Sequence, residues 1–267
     1  TWSGDRSSRV GDGSVRRLVE RGAGNDGAAK YMADEDSLKI VALLRPLDNA
    51  GKLRAACASW PRRAKPGSTW VYHSSDTYLL GVGLQHYLRS LPGHDDDDVF
   101  SDVLVRDIFA PLNLNPGART TRRTADAARQ PFFGWGLYLH ADDMVKLGRF
   151  LGAERGRIDG KPLLDADMLQ AAMQRNAENR GLPVASLEKN FRYQHSVWAR
   201  NVQGLIDCKE PAWVPFMSGY GGITIAMFPN GVIWYNVADD GKIASFDFAE
   251  PARAINVIRP YCKARTD

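Results

Sequence analysis

From about residue 70 to residue 175 the apolar side chains recur every three or four positions, whereas from Tyr193 onward they alternate with polar ones. That change of period constrains the fold more than any other feature. Helices and strands that come in blocks argue against a parallel β-α-β series and predict an α+β chain with an antiparallel sheet. The first block, residues 1–190, reads as mostly helical, and the second, 191–267, as strands with a closing helix. Within the first block Leu38 to Leu44 is the earliest clear apolar run. Val99, Val103, Ile108 and Leu112 mark a helix that Pro116-Gly117 ends. Asp142 or Asp143 is placed to cap Met144 to Leu151, and Asp165 to cap Met168 to Met173. In the second block Val197, Trp198 and Val202, then Ile223 to Met227, then Val232 to Val237 read as strands, with Asn230-Gly231 as a hairpin signal. Pro251 fits the first turn of a closing helix carrying Ile255 and Ile258.

The chain has 267 residues, of which 44% are hydrophobic, enough for a substantial core. A net charge of +4 is too small, and too dispersed, for a nucleic-acid surface. Its densest basic run, Arg119 to Arg129 with Arg122 and Arg123, lies among Thr and Ala without interleaved aromatics and reads as a solvated loop. Asp95 to Asp98 read as a loop and helix start, where the helix dipole favours negative charge; the spaced ligands and turn glycine of a calcium loop are missing. No stretch of about 18 apolar residues occurs, so no transmembrane segment is expected. Cys57, Cys208 and Cys262 include no C-x-x-C pair, and no metal or cofactor is implied. Cys208 and Cys262 can form one disulfide in an exported protein; three reduced thiols are the alternative.

Chemistry concentrates in Trp70-Val71-Tyr72-His73-Ser74-Ser75-Asp76-Thr77-Tyr78-Leu79-Leu80-Gly81. Pro66-Gly67 ahead of it signals a turn, and Asp76 is placed to cap a helix burying Tyr78, Leu79, Val82 and Leu88. The segment resembles the Tyr-x-Ser motif of the serine β-lactamase and penicillin-binding-protein superfamily, in which the phenol helps move the proton of a nucleophilic serine. Thr1-Trp2-Ser3-Gly4-Asp5 is similar to the element that follows the nucleophile helix in that family. Gly134-Trp135-Gly136-Leu137-Tyr138-Leu139-His140-Ala141-Asp142-Asp143-Met144 is similar to its strand-to-helix passage. Gly160 to Asp165 mirrors a turn, and Met217-Ser218-Gly219-Tyr220-Gly221-Gly222-Ile223, running to Trp234, resembles its Gly-rich third motif.

The resemblance implies a β-lactamase-like α+β fold and a serine hydrolase that passes through an acyl-enzyme on an ester, amide or peptide bond. Tyr72 would assist as base and acid, and Ser74 would orient it or the acyl group. Ser218, Gly219, Tyr220, Gly221 and Gly222 would line the substrate cleft, with backbone N–H groups for the oxyanion. The family's Ser-x-x-Lys should precede Thr1 and is absent there. The expectation is therefore a fold incomplete without an N-terminal fragment of the same protein carrying that motif as partner, with a periplasmic or secreted location favoured by family resemblance. Ser186-Leu187-Glu188-Lys189 has the pattern but the wrong order, and reads as surface. A Lys-Thr-Gly is also lacking, which favours an esterase, amidase or peptidase over a β-lactamase. Two other readings stay open: an inactive ligand-binding relative, and an amidase whose nucleophile is Thr1 made N-terminal by self-cleavage. His73, His140 and His195 read as surface or capping residues, and Trp70, Trp135, Trp213 and Trp234 as core or as walls of an acyl pocket.

Overall fold

The helical spacing of the first block is realised as four successive helices, α1 (Leu38–Leu44), α2 (Asn49–Ser59), α3 (Ser74–Arg89) and α4 (Val99–Phe109). The structure is a computed structural model and describes residues 38–59, 70–184, 190–219, 222–238 and 248–262. Pro66-Gly67, Thr1 to Asp5 and Ser186 to Lys189 lie outside the described residues. The chain divides into two units, residues 1–139 with 184–186 and residues 140–183 with 187–267.

In the first unit Leu43, Ala56 and Leu79 form a buried cluster with Ile40, Leu53, Cys57 and Trp135 packed around it. Helix α3 buries Tyr78, Leu79 and Val82 as its spacing predicts, while Leu88 is only half-buried. Asp76 is not its cap: His73, in extended conformation, holds that position, and Asp76 lies in the first turn with its N–H on the His73 carbonyl at 3.1 Å. Gly81 is required by a close approach, since a Cβ there would stand 2.1 Å from Phe133 Cδ2.

Helix α4 ends at Phe109, three residues before its expected end, and is wound as a π-helix, the Ala110 N–H reaching the Val105 carbonyl at 2.8 Å. The winding has a packing consequence. Nine residues make about two π turns but about two and a half α turns, so only the wider helix brings Phe100 and Phe109 onto one face. Their rings meet edge to face at 6.1 Å. The passage from Gly134 to His140 forms no strand, because Phe133 at φ 54° and Gly136 at φ 101° interrupt extended geometry; an isolated bridge between Arg123 and Pro131 precedes it.

The second unit carries helix α5 (Ala141–Gly152), a short hairpin β1–β2 (Arg157–Ile158, Lys161–Pro162), helix α6 (Ala166–Ala172), strands β3 (Leu182–Pro183), β4 (Phe191–Gln194), β5 (Val197–Asn201), β6 (Trp213–Gly219), β7 (Ile223–Met227) and β8 (Ile233–Asn236), and helix α7 (Ala249–Ile258). Strands β3 to β8 make a six-stranded antiparallel sheet in sequential order, the α+β architecture expected. His140, not Asp142 or Asp143, is the N-cap of α5; Asp143 reaches back to accept the His140 N–H at 2.9 Å. Asp165 caps α6 through the Met168 N–H at 2.8 Å, as its position predicts. Asn230-Gly231 turns between β7 and β8, with Gly231 at φ 84°.

Alternation along the strands divides the sheet into two faces. Met227 and Ile233 pack with Leu169, Met173 and Leu151 of the α5–α6 layer, and Gly148 of α5 lets Ile233 approach to 2.7 Å of where a Cβ would be. Phe216 and Trp234, on the opposite face, meet Phe248 at the start of α7 at 5.3 and 6.3 Å. Helices on both faces explain why β6 and β7 carry apolar side chains on either side, Phe216 and Ala226 on one and Met217 and Ile225 on the other. Helix α7 turns Ala252 and Ile255 inward, but Ile258 is 83% exposed at its last position, contrary to its expected role in packing.

Candidate functional site

Tyr72 and Ser74 flank His73, whose φ of −139° and ψ of 131° are extended. Residues either side of an extended residue project to the same side, so the Tyr-x-Ser spacing sends phenol and hydroxyl the same way. Both are half-buried, whereas Val71 and His73, facing the other way, are buried. His73 is therefore a buried helix-capping residue. Trp70 is also buried, and its ring lies 6.4 Å from that of Tyr72.

Ser74 opens the sixteen-residue helix α3, whose dipole favours negative charge at this end, as a phenolate or an oxyanion would carry. Asp76 in the first turn places an acidic group at the same end. Ser75, beside it, has a buried hydroxyl with no hydrogen-bond partner among the described residues. Tyr78 lies on the buried side of the same helix. Its phenol donates to Asn49 Oδ1 at 2.7 Å, and burial, then the charges of Asp126 and Asp48, push its pKa well above the ordinary value. Tyr78 is fixed as a protonated core residue and does not serve as a base.

In the second unit Ser218 and Gly219 end β6. Ser218 pairs with Thr224 and Gly219 with Ile223, and Thr224 pairs onward with Asn236. Gly222, at φ 75°, leads into β7, and its carbonyl accepts Asn236 Nδ2 at 3.0 Å. Tyr220 and Gly221 lie outside the described residues. A Cβ on Gly219 would meet nothing nearer than Ile223 Cβ at 3.8 Å, so packing alone does not require glycine there. The Ser218 hydroxyl is buried and has no hydrogen-bond partner among the described residues, a cost that a purely structural serine has no reason to carry. Tyr72 and Ser74 thus belong to one unit, and Ser218, Gly219 and Gly222 to the other.

Two polar arrangements escaped the sequence reading. Lys52 is 1% exposed; its ammonium donates to the carbonyls of Leu43 and Leu44 at 3.0 and 3.2 Å and stands 4.7 Å over the Phe132 ring. It closes the C-terminal end of α1, where a cation complements the dipole. Burial lowers its pKa, opposed by the charge of Asp48. Arg123, expected in a solvated loop, instead pairs with Asp98. The sequence signal for both is weak, because a lysine or arginine among small residues has no period of its own. Among the described residues no group of three His, Cys, Asp or Glu side chains is placed to hold a metal, and no helix is long and apolar enough to cross a membrane.

No protein-family model and no curated protein sequence matches the chain. Solved structures do. A Bacillus anthracis protein provisionally named a 6-aminohexanoate-dimer hydrolase superposes over 93% of this chain with a TM-score of 0.56 and 15% identity. A D-stereospecific amidohydrolase from Streptomyces superposes over 92% with a TM-score of 0.54, also at 15% identity. The chain spans 60% of the length of the first protein and 72% of the second. The fold is thereby established as β-lactamase-like α+β.

Proposed function

We propose that this chain is the greater part of a serine hydrolase that cleaves an amide bond through an acyl-enzyme. The observation that carries the reading is the extended His73 between Tyr72 and Ser74, at the N-terminal end of a long helix, in a chain whose fold is shared with proteins named as hydrolases. The nucleophilic Ser-Lys pair is assigned to polypeptide outside this sequence. This assignment agrees with the 60% and 72% of the two neighbours' lengths that the chain spans.

In this scheme the serine oxygen attacks the amide carbonyl carbon, and its proton passes to the Tyr72 phenolate with the lysine ammonium nearby. Collapse of the tetrahedral intermediate breaks the carbon–nitrogen bond, and Tyr72 returns the proton to the leaving amine. Water then attacks the acyl-serine with Tyr72 again as base; the ester carbon–oxygen bond breaks, the acid is released, and Tyr72 returns the proton to the serine oxygen. Ser74 holds the phenol in place. The disulfide described for Cys208 and Cys262 suits an exported protein.

The test is denaturing mass spectrometry of the natural full-length protein after treatment with a fluorophosphonate, with Tyr72→Phe in parallel. A covalent adduct on a serine, formed about a hundredfold or more slowly in the variant, supports the reading. A full-length protein that remains unlabelled would instead be an inactive relative that binds ligands. Labelling that ignores Tyr72→Phe and is lost on Thr1→Ala would point to Thr1.

A further inference from the structure

The second unit holds an open cavity of about 340 Å³ lined by Gln174, Arg180, Lys209, Trp213, Pro229 and Tyr261, among others. A smaller one of about 190 Å³ adjoins it, sharing Gln174, Trp213 and Pro229. Trp213 opens β6 and Gly219 ends it, so at the strand rise the cavity lies about 20 Å from the Gly-rich end. It is a separate place from the Gly-rich end assigned to substrate.

Its charge is unbalanced. Arg180 and Arg192 each hold a guanidinium 5.6 Å from the centroid of the Trp213 ring, and neither has a carboxylate within ion-pair reach among the described residues. Burial, then the charge of Arg192, lower the pKa of Arg180. Two cations sharing one indole repel each other, and an anion between or beside them removes that cost. Lys209 adds a further cation on the exposed rim, with Glu210 as the acidic lining residue.

Gln174 supplies an independent sign of a ligand. It is 7% exposed, and its amide nitrogen is engaged with the carbonyls of Ala171 and Arg180 at 3.5 and 3.3 Å, while the amide oxygen is buried with no partner among the described residues. The Arg180 guanidinium donates to the Gln174 carbonyl at 3.0 Å, which braces the two residues against each other. Gln174 also stands at φ 58° just past the end of α6. Its N–H bonds the Ala171 carbonyl at 3.0 Å, and the Arg175 N–H bonds the Gln170 carbonyl at 2.8 Å. These are the paired bonds of a Schellman ending, whose left-handed position favours glycine. A glutamine kept there with an unused buried acceptor points to a binding role rather than a folding one.

We propose that this cavity binds a small organic carboxylate of the N-acyl amino acid type. Its carboxylate lies with Arg180 and Lys209, its apolar body lies against Trp213, and its amide N–H donates to Gln174 Oε1. Guanidinium forks suit carboxylates, and an aromatic wall beside fixed polar groups suits an amphipathic ligand of this size.

Isothermal titration of the full chain with N-benzoylglycine tests it, against the neutral N-benzoylglycinamide and against N-benzoylsarcosine, which lacks the N–H. The expected result is saturable binding of N-benzoylglycine with a Kd below about 1 mM, and binding weaker by about tenfold or more for either analogue and for Arg180→Met. Gln174→Gly is expected to raise the melting temperature yet weaken binding, two opposite movements that a structural role would not produce. Circular dichroism checks that each variant is folded, and Lys209→Gln on the exposed rim, with several-fold weaker binding expected, replaces Arg180→Met if that variant is not. No saturable binding, equal affinity for N-benzoylglycine and its neutral amide, or an unchanged Kd in the folded arginine or lysine variant overturns the proposal.

Discussion

Arg123 grips Asp98 with both terminal guanidinium nitrogens, Nη1 to Oδ2 at 2.8 Å and Nη2 to Oδ1 at 2.7 Å, while Asp98 also caps α4 through the Ser101 N–H at 2.8 Å. One carboxylate therefore starts a helix and anchors the loop that carries Arg123. Both side chains are mostly buried, at 19% and 18% exposure. Removing one partner leaves a desolvated charge, so Arg123→Met is expected to cost about 2 to 4 kcal/mol. Urea denaturation of variant and parent measures it.

The same pair sets a pH dependence. Burial alone would raise the pKa of Asp98, but the hydrogen bonds and charge of Arg123 and the Ser101 N–H outweigh it and hold the pKa below its ordinary value. The unfolded chain then binds the proton first as pH falls. The stabilisation is complete above the unfolded value near 4 and is lost as pH drops through the lower folded value. Unfolding free energy measured from pH 6 to pH 2.5 is expected to fall in the acid part of that range, with a shallower fall in Asp98→Asn.

How much of this was legible in the sequence differs by element. The hairpin at Asn230-Gly231 and the Asp165 cap are local chemistry, written in one or two residues, and both are found where their signals stand. The sheet was readable because alternation survives in strands such as β4, where Phe191 and Tyr193 alternate with Arg192 and Gln194. The Gly134 to His140 passage is expected as a strand from its resemblance to a strand-to-helix passage, yet Phe133 and Gly136 adopt positive φ that breaks an extended run. Partnerships across many residues, such as Lys52 with Leu43 or Arg123 with Asp98, leave no periodic trace. Of the expected site, the extended His73 between Tyr72 and Ser74 and the unpartnered Ser218 hydroxyl emerge only from the structure.

Two glycines of α3 make opposite predictions. A Cβ on Gly81 would fall 2.1 Å from Phe133, while one on Gly83 meets nothing within 4 Å. Gly81→Ala is expected to destabilise by about 2 kcal/mol or more, because an overpacked ring must move. Gly83→Ala relieves the glycine penalty in a helix and is expected to stabilise by about 0.5 to 1 kcal/mol. Thermal melts of the two variants should shift in opposite directions.

Cys208 and Cys262 are joined across 54 residues, tying the end of the chain beyond α7 to the loop before β6. Closing a loop of that length restricts the unfolded ensemble by about 4 kcal/mol in the chain-entropy picture. Reduction with dithiothreitol, or the Cys208→Ser, Cys262→Ser double variant, is expected to lower the unfolding free energy by about that order. Cys57, the remaining cysteine, should then be the single thiol that reacts with a maleimide in the unfolded, unreduced protein.

Ser218→Ala separates a structural from a functional serine. A buried hydroxyl that bonds nothing in the folded chain contributes no hydrogen bond to lose, and it is desolvated without return. The alanine variant is therefore expected to be as stable as the parent or more stable by about 1 kcal/mol. Should that hydroxyl instead contact the bound substrate, the full-length hydrolase carrying Ser218→Ala keeps its fold while kcat/KM falls by about tenfold or more, the size of one hydrogen bond to a charged group. Stability and turnover measured on the same variant decide it: a gain in the first with a loss in the second places Ser218 at the substrate, whereas a loss of stability shows that the hydroxyl is held by residues of the protein itself.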